Sequence, residues 1–281
     1  MHGALAQRAA RVAASLLAAA AAVRAGAQGT EYLKREIAAI GVVERLGAVV
    51  PRGGAFTDSE GRPFSLADLG DRPVLLSFNY TSCPRLCGLQ LGALARALRD
   101  AGWNGDGFRV VTVSIDPGER LPQLARYKQA MVREAGGGRG VDAGWRFLVG
   151  PKADVDALAD AVGFKYRYEP RTGEFAHQAT LVALTGDGRV SGYLHGVTYA
   201  PGALRVAVER AAGGAVATAA EQRSLGGFLL TCMGFDPADP TPLALKIMRA
   251  GGLAALAFLL SFLGYQVARD ARRRRLEGRT S

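Results

Sequence analysis

Two cysteines are the residues of this chain whose types and spacing most clearly allow chemistry. Cys83 and Cys87 lie in the segment SFNYTSCPRLCGLQLGAL, residues 77–94, with three residues between them. On a helix, residues i and i+4 lie on the same face one turn apart, so two thiolates at this spacing can bind one metal ion. If Cys83 lies just outside the helix, the pair can also close a disulfide. The spacing therefore allows both metal binding and redox chemistry.

The position of the pair relative to a helix decides how reactive it is. If Cys83 lies at the helix N-terminus, the helix dipole and the unpaired N–H groups there favour its thiolate. A purely structural disulfide is the alternative use of the pair. Such a bond would close a very short loop and would constrain the unfolded chain little. We therefore place metal binding and redox exchange ahead of a structural role.

A predicted strand and a predicted helix hold these cysteines. The run PVLLSFNY, residues 73–80, is apolar and of strand length, which is typical of a strand buried on both faces. Leucines recur close to helical spacing over residues 84–100, and Gly102 follows the end of this predicted helix. The pair therefore lies where the first buried strand passes into its helix, an arrangement typical of thioredoxin-like folds.

The remaining body alternates strand and helix patterns. In chain order, these patterns predict a hairpin over residues 55–68, a strand over 108–116, a helix over 121–134, a strand over 145–150, a helix over 153–162, a hairpin over 179–196 and a helix over 201–212. Such an order predicts an α/β fold, in which a mixed sheet carries helices on its faces.

The N-terminus has the features of a secretory signal. Arg8 and Arg11 precede an apolar run over residues 12–23. Ala-Gly-Ala at residues 25–27 supplies the small residues of the A-x-A pattern at which signal peptides are cleaved. The apolar run is shorter than the roughly 20 residues that a membrane-spanning helix needs. We predict a signal peptide over residues 1–27, with a short uncleaved anchor as the alternative.

The C-terminus predicts a transmembrane helix. Residues 250–268 carry no charge, and at 1.5 Å per residue they span roughly 28 Å, close to the hydrocarbon thickness of a bilayer. The cluster RDARRRR follows at once, so the positive-inside rule places the tail in the cytoplasm and the body outside, which is the periplasm in a Gram-negative cell. The predicted segments are a linker and juxtamembrane segment over 213–248, a transmembrane helix over 249–268 and a basic cytoplasmic tail over 269–281.

The charge distribution argues against a nucleic-acid partner. The formal net charge is +10, but residues 1–27 contain three arginines and no acid, and residues 269–281 contain six arginines and two acids. The body between these ends is nearly balanced, whereas a nucleic-acid-binding domain is typically basic. The sequence also lacks the P-loop phosphate motif and the G-x-S-x-G motif of serine hydrolases.

Three segments in order resemble the SCO/SenC family of copper chaperones. They are FNYTSCPRLCGLQL, VVTVSIDPGE and FAHQATLVALTGDGRV. They are similar to the family's Cys-x-x-x-Cys loop, its strand ending in Asp-Pro, and its histidine before a strand that ends in a Gly/Asp turn. The likeness covers roughly residues 42–212, and it implies a thioredoxin-like copper-binding domain, which we place over residues 28–212.

The resemblance implies that Cys83, Cys87 and His177 bind copper. Two thiolates and an imidazole favour Cu(I) and can also hold Cu(II), whereas zinc normally requires a fourth ligand. Asp116 matches the family's Asp-Pro, so it is a candidate for orienting a ligand from outside the site. The alternative is that Asp116 caps the turn before Pro117.

The resemblance implies a membrane-anchored chaperone that delivers copper to the dinuclear copper centre of a respiratory oxidase subunit. The alternatives are a thiol–disulfide oxidoreductase, in which Cys83 attacks and Cys87 resolves, and a copper or redox sensor. His177 discriminates between metal binding and dithiol exchange, because only the metal site needs it. Cys232, the third cysteine, is predicted to be an inert thiol near the membrane, although with Met233 it offers soft ligands for accessory copper.

Overall fold

The computed structural model describes residues 39–83, 87–199 and 202–222, together with residues 251–252, 256–262, 264–266 and 268–269. The chain divides into two compact units, Met1–Phe228 and Leu229–Ser281. The first unit contains the sheet and both site cysteines, and the described residues of the second are helical. Among all described residues, no helix has the length and apolar character needed to cross a membrane. The predicted signal peptide and Cys232 lie outside the described residues, as does most of the basic tail.

The first unit is built from nine strands and five helices in the part of the chain that the structure describes. The strands are β1 (Phe56–Asp58), β2 (Pro63–Phe64), β3 (Val74–Asn79), β4 (Arg109–Ser114), β5 (Trp145–Val149), β6 (Tyr166–Glu169), β7 (Glu174–His177), β8 (Thr180–Leu184) and β9 (Val190–His195). The helices are α1 (Cys87–Asp100), α2 (Leu121–Glu134), α3 (Arg139–Gly144), α4 (Lys152–Ala161) and α5 (Ala203–Ala212), and a short 3-10 helix covers Leu66–Leu69.

Seven strands form one mixed sheet in the order β2-β1-β5-β4-β3-β8-β9. The strand β3 pairs in parallel with β4 and antiparallel with β8, and β4 pairs in parallel with β5. The predicted mixed α/β sheet of thioredoxin-like type is therefore confirmed. The remaining strands, β6 and β7, form a separate antiparallel hairpin.

The sheet separates two hydrophobic cores, because successive side chains of a strand point to opposite faces. From β3, Leu76 and Phe78 pack into the core that α4 covers, whereas Leu75 packs into the core under α1, α2 and α5. Helix α1 buries a stripe of side chains at spacings of three and four residues, which include Leu91, Leu94, Ala95 and Leu98. The spacing of the leucines thus holds α1 against the sheet, and its first residue, Cys87, lies near the end of β3.

The sequence patterns miss two elements, α3 and the hairpin of β6 and β7. Helix α3 begins at Arg139, within the glycine-rich run of residues 136–140. A β-carbon at Gly140 would lie 2.1 Å from the carbonyl oxygen of Asn104, so this segment packs backbone against backbone. Such an approach depends on a neighbour distant in sequence, which local patterns do not reveal.

Residues after α5 remain packed against the sheet. The side-chain amide of Gln222 is buried, accepting a hydrogen bond from the Tyr193 N–H at 3.0 Å and donating one to the Tyr193 carbonyl at 2.7 Å. The N–H of Ala217 donates to the Ser191 carbonyl at 2.8 Å. This segment covers the outer edge of β9, which would otherwise present unpaired backbone groups. The first residues of the predicted linker are therefore ordered against the sheet.

Candidate metal and thiol site

The two cysteines lie where β3 passes into α1. Cys87 is the first residue of α1 and is 1% exposed, whereas Cys83 is half-buried in the preceding loop. Both are thiols in the structure, and their side chains are joined by a hydrogen bond. Residues 84–86 between them lie outside the described residues. The structure thus places one thiol of the pair in the core and leaves the other partly accessible.

His177 ends β7 and contacts the buried cysteine. Its Nε2 lies 3.4 Å from the Cys87 Sγ, and its Nδ1 lies 3.3 Å from the Gln178 carbonyl oxygen. When Nδ1 donates its proton to that carbonyl, Nε2 carries the lone pair that faces Cys87. The structure therefore brings this predicted ligand into direct contact with one of the two predicted thiols.

The side chains of Cys83, Cys87 and His177 do not surround a common point at which a metal ion could bind. Within the described ranges, no group of three His, Cys, Asp or Glu side chains is arranged so that it could hold a metal ion. Cys87 contacts both Cys83 and His177, so the pairwise contacts run through Cys87. The metal-ligand role of all three residues accordingly stays a prediction.

Aromatic rings enclose His177. The centroid of its ring lies 5.7 Å from that of Phe164 and 6.2 Å from that of Tyr80. The Tyr80 hydroxyl accepts a hydrogen bond from the Phe175 N–H at 3.2 Å, and the two rings meet edge to face at 5.4 Å. These contacts fix the hairpin of β6 and β7 against the end of β3, so they hold the imidazole beside the cysteine.

The sequence contained a signal for this hairpin. Tyr166 and Tyr168 alternate on one side of a turn at Gly173, and Phe175 and His177 alternate on the other. Alternation with a period of two around a glycine is typical of a hairpin. Tyr80, at the end of the apolar run that predicts a strand, lies edge-on to the imidazole that this hairpin carries.

Hydrogen bonding and burial control the proton of the buried thiol. A hydrogen bond to Cys83 and, next to it, burial stabilise the protonated form of Cys87 and raise the pKa of its thiol above the ordinary value. Burial is also the main reason that the pKa of Tyr127 rises to about 12, and the charges of Cys87, Cys83 and Glu119 act in the same direction. The Cys87 thiol therefore keeps its proton at neutral pH, and a metal ion that binds its sulfur must displace that proton.

This pKa shift predicts a loss of stability in mild alkali. As the pH rises past about 8.5, the unfolded chain releases the Cys87 proton while the folded chain retains it. The free energy of unfolding should then fall by up to about 1.4 kcal/mol per pH unit, until the pH reaches the raised pKa of the folded state. Urea unfolding of the reduced, metal-free protein between pH 7.5 and 9.5 measures this slope. Cys87→Ser should flatten it, and an unchanged slope in that variant would contradict the assignment.

Asp116 and Glu119 shape the turn that follows β4. The Asp116 carboxylate accepts a hydrogen bond from the Gly118 N–H at 2.8 Å, and the Asp116 carbonyl accepts one from the Glu119 N–H at 3.1 Å. These contacts are those of a turn, and the role of Asp116 in orienting a ligand stays a prediction. Glu119 accepts a hydrogen bond from the Thr81 N–H, two residues before Cys83. The sequence patterns did not single out Glu119, because an isolated acid in a turn carries no local signal.

Comparisons with known proteins agree with this architecture. The family model described as SCO1/SenC matches residues 52–212, a span that includes both cysteines, Asp116 and His177. A protein of Stutzerimonas stutzeri named "Putative copper-binding protein" is 24% identical over 153 residues, which cover 53% of this chain and 71% of that protein.

Two solved structures from Aquifex aeolicus VF5 share the fold. One, a "putative electron transfer protein", is 28% identical with a TM-score of 0.54, and covers 60% of this chain and 95% of its own. The other, a "putative electron transport protein", is 27% identical with a TM-score of 0.51, and covers 60% of this chain and 99% of its own. Since the family model spans more than half of the residues, this chain belongs to the SCO1/SenC family.

Proposed function

We propose that this chain is an extracytoplasmic copper chaperone that holds copper as its cargo between Cys83, Cys87 and His177. The observation that carries this proposal is the 3.4 Å contact between the Cys87 Sγ and the His177 Nε2, with Cys83 hydrogen-bonded to the same thiol. The similarity to a relative whose name describes copper binding supports the choice of metal.

The chemistry of the donors suits copper. Two thiols and one imidazole are soft and borderline ligands, which favour Cu(I) and tolerate Cu(II). His177 presents its Nε2 to the site while its Nδ1 lies against a backbone carbonyl, as is common for ligating histidines. To complete the set, the half-buried Cys83 must turn from Cys87 towards the metal.

The difference in exposure between the two cysteines suits transfer to a partner. Cys87 is buried and Cys83 is partly accessible, so an incoming ligand would replace Cys83 first and Cys87 last. Stepwise exchange of this kind never leaves the copper ion without ligands. We propose the dinuclear copper centre of a respiratory oxidase subunit as the recipient, with the predicted C-terminal helix anchoring the domain on the periplasmic face of the membrane.

A thiol–disulfide oxidoreductase is the second candidate, and the same pair of thiols favours it. The Cys83 thiolate would attack a client disulfide and form a mixed disulfide while one client thiolate leaves. Cys87 would then lose its proton and attack Cys83, so that the second client thiolate leaves and two electrons have passed to the client. Exposure of Cys83 and burial of Cys87 suit these attacking and resolving roles. A copper or redox sensor would use the same residues without transfer to a client.

Replacing His177 distinguishes the two candidates. We expect His177→Ala to weaken Cu(I) binding by at least about 100-fold, because the loss of a ligand should exceed the roughly 10- to 100-fold cost typical of its outer neighbours. Disulfide exchange by the same variant should continue. Competition with a coloured Cu(I) chelator under anaerobic, reducing conditions measures the first property, and reduction of a model disulfide measures the second.

His195 provides the matched control for this experiment. Its Nδ1 lies 3.1 Å from the Thr180 hydroxyl and its Nε2 lies 2.8 Å from the Glu44 carboxylate, so both ring nitrogens have partners away from the cysteines. His195→Ala should therefore bind copper as the wild type does. Wild-type protein that binds no copper but exchanges disulfides readily would refute the chaperone and leave the oxidoreductase.

A further inference from the structure

We propose that Glu119 is a positioning residue that holds the loop before α1 by clamping Thr81, and thereby sets where the Cys83 thiol lies relative to Cys87. This inference rests on the proposed use of the two cysteines as a functional pair. It assigns a role to a side chain outside the predicted ligand set.

The clamp consists of three hydrogen bonds to one carboxylate. One oxygen of Glu119 accepts from the Thr81 N–H at 2.9 Å and from the Ser114 hydroxyl at 3.0 Å. The other oxygen accepts from the Thr81 hydroxyl. An ionised acceptor makes stronger hydrogen bonds than a neutral one, and two bonds to the same residue fix its orientation as well as its distance.

Ser114 connects the clamp to the rigid part of the fold. It is the last residue of β4 and is buried, and the parallel register places it beside Asn79, the last residue of β3. Thr81 follows two residues after Asn79. The carboxylate therefore joins the start of the cysteine loop to the end of the neighbouring strand, where the sheet itself no longer constrains the chain.

The turn after β4 places the carboxylate. Asp116 accepts from the Gly118 N–H through its side chain and from the Glu119 N–H through its carbonyl, and α2 begins shortly afterwards at Leu121. The predicted effect of Asp116 on the site would pass through the turn to Glu119, then to Thr81 and the loop of Cys83. On this route Asp116 needs no direct contact with a ligand, and its side chain stays hydrogen-bonded within the turn.

A displaced loop should change the chemistry of both proposed functions. Disulfide formation needs the two sulfurs to approach each other, and copper binding needs the Cys83 sulfur to reach the ion held by Cys87 and His177. Each requirement depends on where the loop holds Cys83. A looser loop lowers the effective concentration of Cys83 at Cys87 and so destabilises the disulfide relative to the dithiol.

The test uses Glu119→Gln and Thr81→Val in the full-length chain, with Cys232→Ser in every variant so that one cysteine pair titrates. Glutamine replaces the charged acceptor by a neutral amide, which makes weaker hydrogen bonds, and valine lacks the hydroxyl. We expect each variant to weaken the disulfide about tenfold, which raises the two-electron midpoint potential by about 30 mV. Copper affinity should fall at least about tenfold.

Two control variants separate positioning from general stability. Thr81→Ser keeps both donors and should restore the wild-type potential and copper affinity. Glu134→Gln removes a carboxylate that forms exposed ion pairs with Arg96 and Arg99, and should leave both values unchanged. A merely structural role would lower the unfolding temperature of Glu119→Gln and leave the midpoint potential where it was.

The outcomes for the clamp and for copper delivery are separable. A shifted potential in Glu119→Gln and Thr81→Val supports the clamp even if the wild type binds no copper, in which case only the proposed chaperone fails. Wild-type copper binding with an unshifted potential and unchanged copper affinity in both variants overturns the clamp and leaves the chaperone intact.

Discussion

Cys87→Ser is expected to abolish stoichiometric copper binding. Cys87 contacts both other predicted ligands, and a serine hydroxyl is a poor ligand for Cu(I) because it is hard and stays protonated. Because Cys87 is 1% exposed, a water molecule cannot readily replace its sulfur as a ligand of the copper ion. The wild type should retain about one copper per chain after gel filtration against a competing chelator, and the variant should retain close to none, as measured by elemental analysis.

Substitutions of the other two cysteines test whether the loss of copper is specific to the predicted site. Cys83→Ser should also lose copper, although it leaves the contact between Cys87 and His177 intact. Cys232→Ser is the control for the loss of a thiol elsewhere in the chain, and it should bind copper as the wild type does. If Cys87→Ser retained its copper while Cys232→Ser lost it, the copper site would lie elsewhere than at Cys83 and Cys87.

Phe164→Ala should both destabilise the fold and disturb the site. Phe164 is 1% exposed, its ring stacks on Phe78 at 4.6 Å, and its centroid lies 5.7 Å from that of the His177 imidazole. Removing a buried phenylalanine ring typically costs about 3–5 kcal/mol, because the lost contacts leave a cavity. Here the cavity lies against His177, so the imidazole gains freedom to leave Cys87. Urea unfolding measures the first effect, and copper affinity measures the second.

Phe56→Ala is the matched control for this prediction. Phe56 belongs to the same hydrophobic core and is 3% exposed. It lies on β1, however, which is next to one edge of the sheet, whereas β8 is next to the opposite edge. Its loss should reduce the free energy of unfolding by a comparable amount. Among folded molecules its copper affinity should equal that of the wild type. Equal losses of copper affinity in the two variants would show that general loosening, rather than contact with His177, affects the site.

One of the two cores links packing to the geometry of the site. The core that contains Phe164 also contains Tyr80 and Cys87, so packing and ligand geometry share the same side chains. The opposite core, under α1, α2 and α5, holds the helix against the sheet. The loop between β3 and α1 has few residues of its own, but the packing of these two elements fixes where its ends lie.

Local patterns predicted most of the scaffold. The apolar run over residues 73–80 became β3, and the leucine spacing over residues 84–100 became α1 over its described part. Such patterns succeed because the period of a strand or helix appears directly in consecutive residues. They did not predict α3, whose segment packs backbone against backbone with residues distant in sequence. The hairpin of β6 and β7 was also missed, although its alternating side chains around Gly173 carry a local signal.

Residue type and spacing establish the chemical types of the donors. Two thiols at a spacing of four residues, next to a buried strand, restrict the site to metal binding or redox exchange. The resemblance to a family of copper chaperones selected His177 from the three histidines. Neither source showed that Cys87, rather than Cys83, would be the thiol in contact with the imidazole.

Which side chains meet depends on the packing of segments that are distant in the chain. His177 is 90 residues from Cys87, and Glu119 is 38 residues from Thr81, so neither contact follows from local spacing. The first arises because aromatic side chains hold the hairpin against the end of β3, and the second because β4 ends beside β3 in a parallel register. The sequence determined what the site can do, and the packing of distant segments decided which residues do it.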